Sequence, residues 1–201
     1  MKLLLRISLI LLVVQISCKT QKSTTTTSSS SAFNPFQYGI EKKVECMNGA
    51  VVTAHPLASK VGLEILKKGG NAIDAAIATQ LALAVVYPGA GNIGGGGFMV
   101  ARLTDGTNIT LDFREKAPSL AHRDMYLDDK GNAQVNLSQN GHLASGVPGT
   151  IAGLFASHKY ARLPFKELIQ PAIDLAEYGF VITAAEARSL TATQGEFKKL
   201  N

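Results

Sequence analysis

Residues 71–86 read NAIDAAIATQLALAVV, and this run predicts a helix around which the rest of the chain packs. Asn71 suits the N-cap position, and Asp74 at the third helical position completes a capping box. Between Ala72 and Val86 only three side chains are polar. A helix that is apolar on nearly every face is buried on nearly every face, so this one needs a large body of protein around it.

Periodicity and turn signals predict further elements on both sides of this helix. Upstream, apolar residues recur every fourth position until Gly69-Gly70 stops the helix. Downstream, Asp105-Gly106 predicts a hairpin turn between two short strands, and Pro171 is expected to break or restart its helix. Residues 117–143 are polar and are expected to be irregular. The predicted helices span residues 56–68, 72–86, 150–160, 165–178 and 183–193, and the predicted strands span residues 49–53, 98–102 and 108–113.

Residues 91–97 read GNIGGGG, a run that is unsuited to the interior of a helix or a strand. The run lacks the Gly-Lys-Ser/Thr ending of a phosphate-binding loop. It also follows a helix and precedes a strand, which is the reverse of the dinucleotide-binding order. Tight backbone packing, or backbone that lines an oxyanion site, is therefore the favoured interpretation.

The scattered serine and histidine residues form no recognisable catalytic motif. Ser145 is not part of a nucleophile elbow, because residue 143 is leucine rather than glycine. His122, His142 and His158 have no partner spacing, so a surface or structural role is favoured for each. His55 is expected to have a fixed local role, because it opens a helix. No Cys/His cluster has metal-ligand spacing, so no metal site is predicted.

Arg114 is the strongest candidate for a ligand-binding residue. It follows an apolar strand and lies between Asp112 and Glu115. Arginine presents a planar fork that matches a carboxylate with two parallel hydrogen bonds. The alternative is a structural ion pair with Glu115 or Asp112, and composition alone favours that alternative.

The first residues are typical of an export signal. Lys2 and Arg6 precede an apolar run, residues 7–16, that is too short to span a bilayer, so residues 1–17 are interpreted as a cleaved signal peptide. Ser17-Cys18 resembles the end of a bacterial lipobox, which makes Cys18 a candidate lipidation site. The alternative is ordinary cleavage near Ser17. We therefore expect an exported bacterial protein, either periplasmic or anchored to a membrane through lipid on Cys18.

Residues 18–38 are predicted to form a disordered Ser/Thr-rich tether, because they contain too few apolar side chains to offset the entropy of ordering. The net charge of +5 arises mostly before residue 33, where four of the 20 basic residues and none of the 15 acidic residues lie. Since no basic run with interleaved aromatic residues follows, nucleic acid is not an expected partner. Apart from Cys18 the chain has one cysteine, Cys46, so no internal disulfide is expected once Cys18 is lipidated.

Five motifs occur in order along the rest of the chain. They are AHPLAS at residues 54–59, GGNAIDAA at residues 69–76, IGGGGF at residues 93–98, DFREKAP at residues 112–118 and GVPG at residues 146–149. Together they resemble the N-terminal part of the gamma-glutamyltranspeptidases, which are also called gamma-glutamyltransferases or glutathione hydrolases. The resemblance extends from about residue 49 to the end of the chain.

The resemblance implies an α+β fold of the N-terminal-nucleophile hydrolase type, an αββα sandwich with two sheets between layers of helices. Residues 39–201 would be the N-terminal part of a large subunit, so the sandwich would be incomplete in this chain. It also implies a proenzyme that cleaves itself, which makes the small subunit from the same precursor a partner. No cofactor is implied.

The implied activity is hydrolysis of glutathione and transfer of gamma-glutamyl groups to water, amino acids or peptides. The family's nucleophile is the new N-terminal threonine of the small subunit, in a Thr-Thr-His-type segment. This chain has no such segment, so it is expected to contain no catalytic residue and to be inactive alone. The motif carries one substrate contact onto the chain, Arg114, which would bind the alpha-carboxylate of the gamma-glutamyl group.

Two other functions fit the same residues. An acylase of the same fold would hydrolyse glutaryl or related acyl amides, since Arg114 suits any substrate with a carboxylate in the right place. A surface lipoprotein could bind gamma-glutamyl compounds without catalysis. Finding or failing to find the threonine segment in the continuing reading frame would distinguish the enzyme from the binding protein.

Overall fold

A computed structural model describes residues 45–200. The predicted signal peptide, the candidate lipidation site Cys18 and the predicted tether lie outside these described residues. Within residues 45–200, no helix is both long enough and apolar enough to cross a bilayer. In chain order the described elements are α1 (Pro56–Lys67), α2 (Ala72–Val86), β1 (Phe98–Arg102), β2 (Asn108–Asp112), α3 (Val135–Gln139), a 3₁₀ turn (His142–Ala144), α4 (Thr150–His158), α5 (Phe165–Tyr178) and α6 (Ala184–Leu200).

Helix α2 lies at the centre of the described core. Nine of its fifteen residues are buried, so more than one face is covered, as the sequence predicted. Helices α1, α4 and α5 pack against it. Burying one Ile or Leu side chain stabilises a fold by about 1.5–3 kcal/mol. The main cluster includes Ile65 of α1, Ile77 and Leu81 of α2, Leu154 of α4 and Leu168 of α5.

The carboxylate of Asp74 ties the start of α2 to a loop that is distant in sequence. Its Oδ2 accepts a hydrogen bond from the backbone N–H of Asn71 (2.7 Å), which completes the predicted capping box. The backbone N–H groups of Arg162 and Leu163 also donate to the Asp74 carboxylate, at 3.0–3.1 Å. Asp74 is fully buried, and within residues 45–200 backbone N–H groups are the hydrogen-bond donors to its side chain.

Asn71 contacts the same loop. Its side-chain oxygen accepts hydrogen bonds from the backbone N–H groups of Ile73 (2.8 Å) and Asp74 (3.0 Å). Its side-chain nitrogen donates to the carbonyl of Tyr160 (2.8 Å). The two capping residues therefore position the connection between α4 and α5 as well as the N-terminus of α2.

His55 has the local role that its position before Pro56 predicted. Its Nδ1 accepts a hydrogen bond from the backbone N–H of Leu57 (3.2 Å), which caps α1. The other ring nitrogen, Nε2, lies 3.3 Å from an oxygen of Glu186 in α6. Glu186 also accepts from the backbone N–H of Thr183 (2.6 Å), and this hydrogen bond is the main cause of the lowered pKa of Glu186.

Strands β1 and β2 form the predicted antiparallel hairpin. The register pairs Phe98 with Asp112 and Arg102 with Asn108. The turn is closed by a hydrogen bond from Leu103 N–H to the Thr107 carbonyl (2.8 Å). Alternate residues of β1 pack on the core, and Phe98, Val100 and Arg102 point away from it.

Two predictions about the elements were wrong. Residues 49–53 do not form a strand, because no described strand pairs with them, and Val51 instead packs beside Gly62 of α1. Pro171 does not break α5, which is continuous from Phe165 to Tyr178. Leu168 and Ala172 are buried on either side of the proline, and this packing outweighs the lost backbone hydrogen bond.

The other differences concern the extent of elements. Helix α6 continues past the predicted end at residue 193 to Leu200, and an ion pair between Glu196 and Lys199 (2.7 Å) supports its last turn. Helix α4 ends two residues earlier than predicted, at His158. The segment expected to be irregular contains the short helix α3 and the 3₁₀ turn.

We expect Asp74→Asn to lower the free energy of unfolding by about 2–4 kcal/mol, because the amide offers one acceptor oxygen and turns an NH₂ group toward backbone donors. Urea unfolding of the purified protein measures this loss. Asp174→Asn is the matched control, since Asp174 is exposed on α5 and accepts a side-chain hydrogen bond from Gln170. We expect the control to change stability by less than about 0.5 kcal/mol. Equal effects of the two substitutions would contradict the anchoring role of Asp74.

Candidate functional site

Arg114 lies just beyond the end of β2, where the hairpin ladder is still paired. The backbone N–H of Phe113 donates to the carbonyl of Gly97 (3.0 Å), and the N–H of Gly97 donates back to the Phe113 carbonyl (3.4 Å). The N–H of Arg114 donates to Asp112 Oδ1 (3.0 Å). The backbone of Arg114 is therefore fixed by the strand before it.

The ring and carbonyl of Phe113 occupy a space that three glycines leave open, which we call the Phe113 slot (Gly97, Gly149 and Gly153). A Cβ atom at Gly153 in α4 would overlap the ring itself, and one at Gly149 would overlap the Phe113 carbonyl. A Cβ at Gly97 would lie 2.7 Å from the ring edge. Side-chain atoms at these positions would displace Phe113, and Arg114 with it.

The glycine run packs its backbone against the arginine segment and against α4. A Cβ at Gly96 would lie 2.7 Å from the Cα of Arg114, so this approach requires glycine. The carbonyl of Gly95 accepts hydrogen bonds from the N–H groups of Gly149 (2.7 Å) and Thr150 (3.0 Å). Asn92 Oδ1 accepts from the Gly95 N–H (2.6 Å). The interpretation of the run as tight backbone packing is confirmed at these positions.

The Arg114 guanidinium forms a hydrogen bond through Nε and leaves its two Nη atoms available. Its Nε donates to Glu115 Oε2 (2.8 Å), which is the ion pair that composition favoured. Asp112 accepts a hydrogen bond from the Arg114 backbone N–H and attracts the guanidinium more weakly than Glu115 does. Among the described residues no hydrogen bond engages the two Nη atoms, and the side chain is 60% exposed. Arg114 can therefore keep its ion pair with Glu115 and still bind a ligand carboxylate through both Nη atoms.

The electrostatics of the pair keep both groups charged. The hydrogen bond from Arg114 is the main reason that the pKa of Glu115 lies below its ordinary value. The same hydrogen bond raises the pKa of Arg114 above its ordinary value. Glu115 is therefore a carboxylate at neutral pH, and it fixes the guanidinium through Nε without occupying the fork.

A cleft of about 330 Å³ runs beside this segment. Its lining includes Asp112, Arg114 and Lys116, together with Pro148 and Gly149. The lining carries two cationic residues and one acidic residue, so its net charge favours a ligand with a carboxylate.

The remaining candidate residues do not join this site. His158 Nε2 bonds to the carbonyl of Leu163 (2.9 Å), which is a structural contact. Cys46 is an exposed thiol outside any disulfide. Within residues 45–200, no group of three or more His, Cys, Asp or Glu side chains has the geometry of a metal site. Phe98 was not predicted to belong to the site, yet its ring centroid lies 5.7 Å from the guanidinium carbon of Arg114.

Comparisons with known proteins identify a matching family and similar sequences. The family model for gamma-glutamyltranspeptidase matches residues 58–201. A glutathione hydrolase proenzyme of Pseudomonas sp. (strain A14) is 55% identical over 153 residues, which are 76% of this chain and 27% of that protein. An acylase ACY 1 proenzyme of Pseudomonas sp. (strain SE83) is 41% identical over 166 residues, which are 79% of this chain and 30% of that protein.

A solved structure shares the fold. The crystal structure of Helicobacter pylori gamma-glutamyltranspeptidase is 50% identical and has a TM-score of 0.74, with 78% of this chain and 45% of that chain covered. The predicted α+β fold is therefore confirmed. The chain spans less than a third of the length of the two curated relatives named above.

We expect Gly153→Ala to lower the free energy of unfolding by about 1–3 kcal/mol, because the new methyl group would overlap the Phe113 ring inside the slot. Gly195→Ala is the matched control, since Gly195 lies in α6 and a methyl group added there would meet nothing within 4 Å. There the substitution should stabilise the helix by about 0.5–1 kcal/mol. Thermal unfolding of both variants measures these effects. If the melting temperature shifted in the same direction in both, the close packing of Phe113 against Gly153 would be contradicted.

Proposed function

The chain belongs to the gamma-glutamyltranspeptidase family, and from this we propose that it is part of an enzyme that hydrolyses glutathione and transfers gamma-glutamyl groups to water, amino acids or peptides. One observation supports this proposal above the others. Arg114 lines a cleft, and Glu115 takes up its Nε while no hydrogen bond from the described residues engages its two Nη atoms.

In this proposal Arg114 binds the alpha-carboxylate of the gamma-glutamyl group. The planar guanidinium and the carboxylate form two parallel charge-assisted hydrogen bonds through the Nη atoms. The hydrogen-bonded backbone of residues 112–116 holds Arg114 in place, and the carbon chain of the gamma-glutamyl group sets the distance from this carboxylate to the amide at its other end. Binding the carboxylate therefore orients the amide for attack.

The nucleophile in this proposal is a threonine outside these 201 residues, as the family resemblance implies. Its hydroxyl oxygen attacks the gamma-amide carbonyl, and the amine product leaves with a proton. The resulting gamma-glutamyl ester then passes its acyl group to water or to an acceptor amine. The catalytic site would form within the N-terminal-nucleophile αββα sandwich after the precursor cleaves itself into a large and a small subunit.

We also propose that the protein is exported and that Cys18 carries lipid, with residues 18–38 as a tether between membrane and enzyme. The composition of the first 38 residues supports this arrangement. It would place the enzyme where extracellular or periplasmic gamma-glutamyl compounds are available.

An acylase is the second candidate function, and the 41% identity to the acylase ACY 1 proenzyme favours it over a binding protein without catalysis. A glutaryl group keeps the distal carboxylate and lacks the alpha-amino group. Activity of the full-length enzyme on glutaryl-p-nitroanilide in preference to gamma-glutamyl-p-nitroanilide would establish the acylase. Activity on neither substrate, with gamma-glutamyl compounds still bound, would establish the binding protein.

We expect Arg114→Ala in the full-length enzyme to reduce kcat/KM for gamma-glutamyl-p-nitroanilide about 100-fold, because the carboxylate loses a charge-assisted contact. Self-cleavage should proceed nearly as in the parent, since Arg114 acts on substrate rather than on the precursor bond.

The matched control is Arg123→Ala, because Arg123 is also an exposed arginine paired with the next residue, Asp124. It should leave kcat/KM within about twofold of the parent. A donor without the alpha-carboxylate, 4-aminobutyryl-p-nitroanilide, should be hydrolysed equally by the parent and by Arg114→Ala. Unchanged kcat/KM on the gamma-glutamyl donor would remove Arg114 from the binding site.

We expect mass spectrometry of the mature protein to show an N-terminus at Cys18 with a mass increase that corresponds to acyl chains. Cys18→Ser should release the protein from membranes into the soluble fraction. An unmodified N-terminus near residue 18 would favour ordinary signal cleavage.

A further inference from the structure

Phe98 is a large aromatic residue in an unusual position. It is the first residue of β1 and is 64% exposed, so it contributes little to the described core. Exposed single apolar residues are common, but this ring lies against a specific charged group. The guanidinium carbon of Arg114 is 5.7 Å from the ring centroid, which is inside the range of a cation–π contact.

The hairpin register brings the two residues together. Phe98 lies directly opposite Asp112 on the outward face of the sheet. Because side chains alternate along an extended backbone, Arg114 shares the face of Asp112 and is diagonal to Phe98. The intervening Phe113 points the other way, into the Phe113 slot. A strand pairing that is fixed by backbone hydrogen bonds therefore determines the contact.

We propose that Phe98 is a positioning residue that holds the guanidinium of Arg114 for the substrate carboxylate. The inference rests on the proposed function, since it assigns a role within the same binding site. Glu115 restrains one edge of the guanidinium by a hydrogen bond to Nε. Phe98 supplies a second restraint through its ring.

An aromatic ring suits this task better than a second acidic residue. A carboxylate on the Nη atoms would occupy the donors that the substrate needs and would cancel the positive charge. The ring attracts the cation through its quadrupole and leaves the N–H donors unused. With Glu115 on Nε and Phe98 as the second contact, the Nη edge stays available for the substrate.

The test uses the full-length enzyme with gamma-glutamyl-p-nitroanilide as the donor. Phe98→Leu keeps an apolar side chain and removes the quadrupole, so KM should rise about 2–5-fold with kcat nearly unchanged. Phe98→Tyr keeps the ring and should restore the parent KM. Val100→Ala, an apolar truncation on the same outward face of β1, is the control and should leave KM unchanged.

A double-mutant cycle separates positioning from a general structural effect. In an Arg114→Ala background, Phe98→Leu should have no further effect on kcat/KM, because the group on which the ring acts is gone. The proposal would be overturned if Phe98→Leu lowered kcat/KM by the same factor in the Arg114→Ala background as in the parent enzyme. It would also be overturned if Phe98→Tyr failed to restore the parent KM. If the parent enzyme itself does not hydrolyse the donor, the proposed function fails. If Arg114→Ala impairs hydrolysis and Phe98→Leu does not, only the role of Phe98 fails.

Discussion

The buried carboxylate of Asp74 is the interaction on which the described fold depends. It closes the first turn of α2 and also accepts hydrogen bonds from the loop between α4 and α5. A buried polar side chain needs its hydrogen-bond partners, because removal of either the acceptor or its donors leaves unpaired polar groups in a dry interior. The position of α4, and therefore of Gly149 and Gly153 in contact with Phe113, follows from this connection.

Local signals in the sequence predicted the elements that local chemistry controls. The capping pair Asn71 and Asp74 gave the start of α2, and Asp105-Gly106 gave the hairpin. The predicted residues 165–178 of α5 match the structure, although the expected break at Pro171 does not occur. A proline penalty of a few kcal/mol is smaller than the packing on both sides of it, and packing cannot be evaluated before the neighbours are known.

The features that sequence reasoning missed are contacts between distant residues. Asp74 and Arg162 are 88 residues apart, so a capping motif could not reveal the second use of the carboxylate. The motif containing Arg114 gave the proposed binding residue, but the contact with Phe98 depends on the register of the hairpin. Residues 49–53 have the composition of a strand, yet a strand also requires a partner that sequence alone does not provide.

The glycines around Phe113 have a consequence for how the site meets its ligand. The backbone next to Arg114 is held by main-chain hydrogen bonds and by the Phe113 ring that packs against these glycines. Few rotatable side chains take part in this packing. The conformational entropy of this part of the site is therefore lost when the chain folds, before any ligand arrives. A preorganised arginine binds a small carboxylate without a further ordering cost in its backbone, so more of the contact energy appears as affinity.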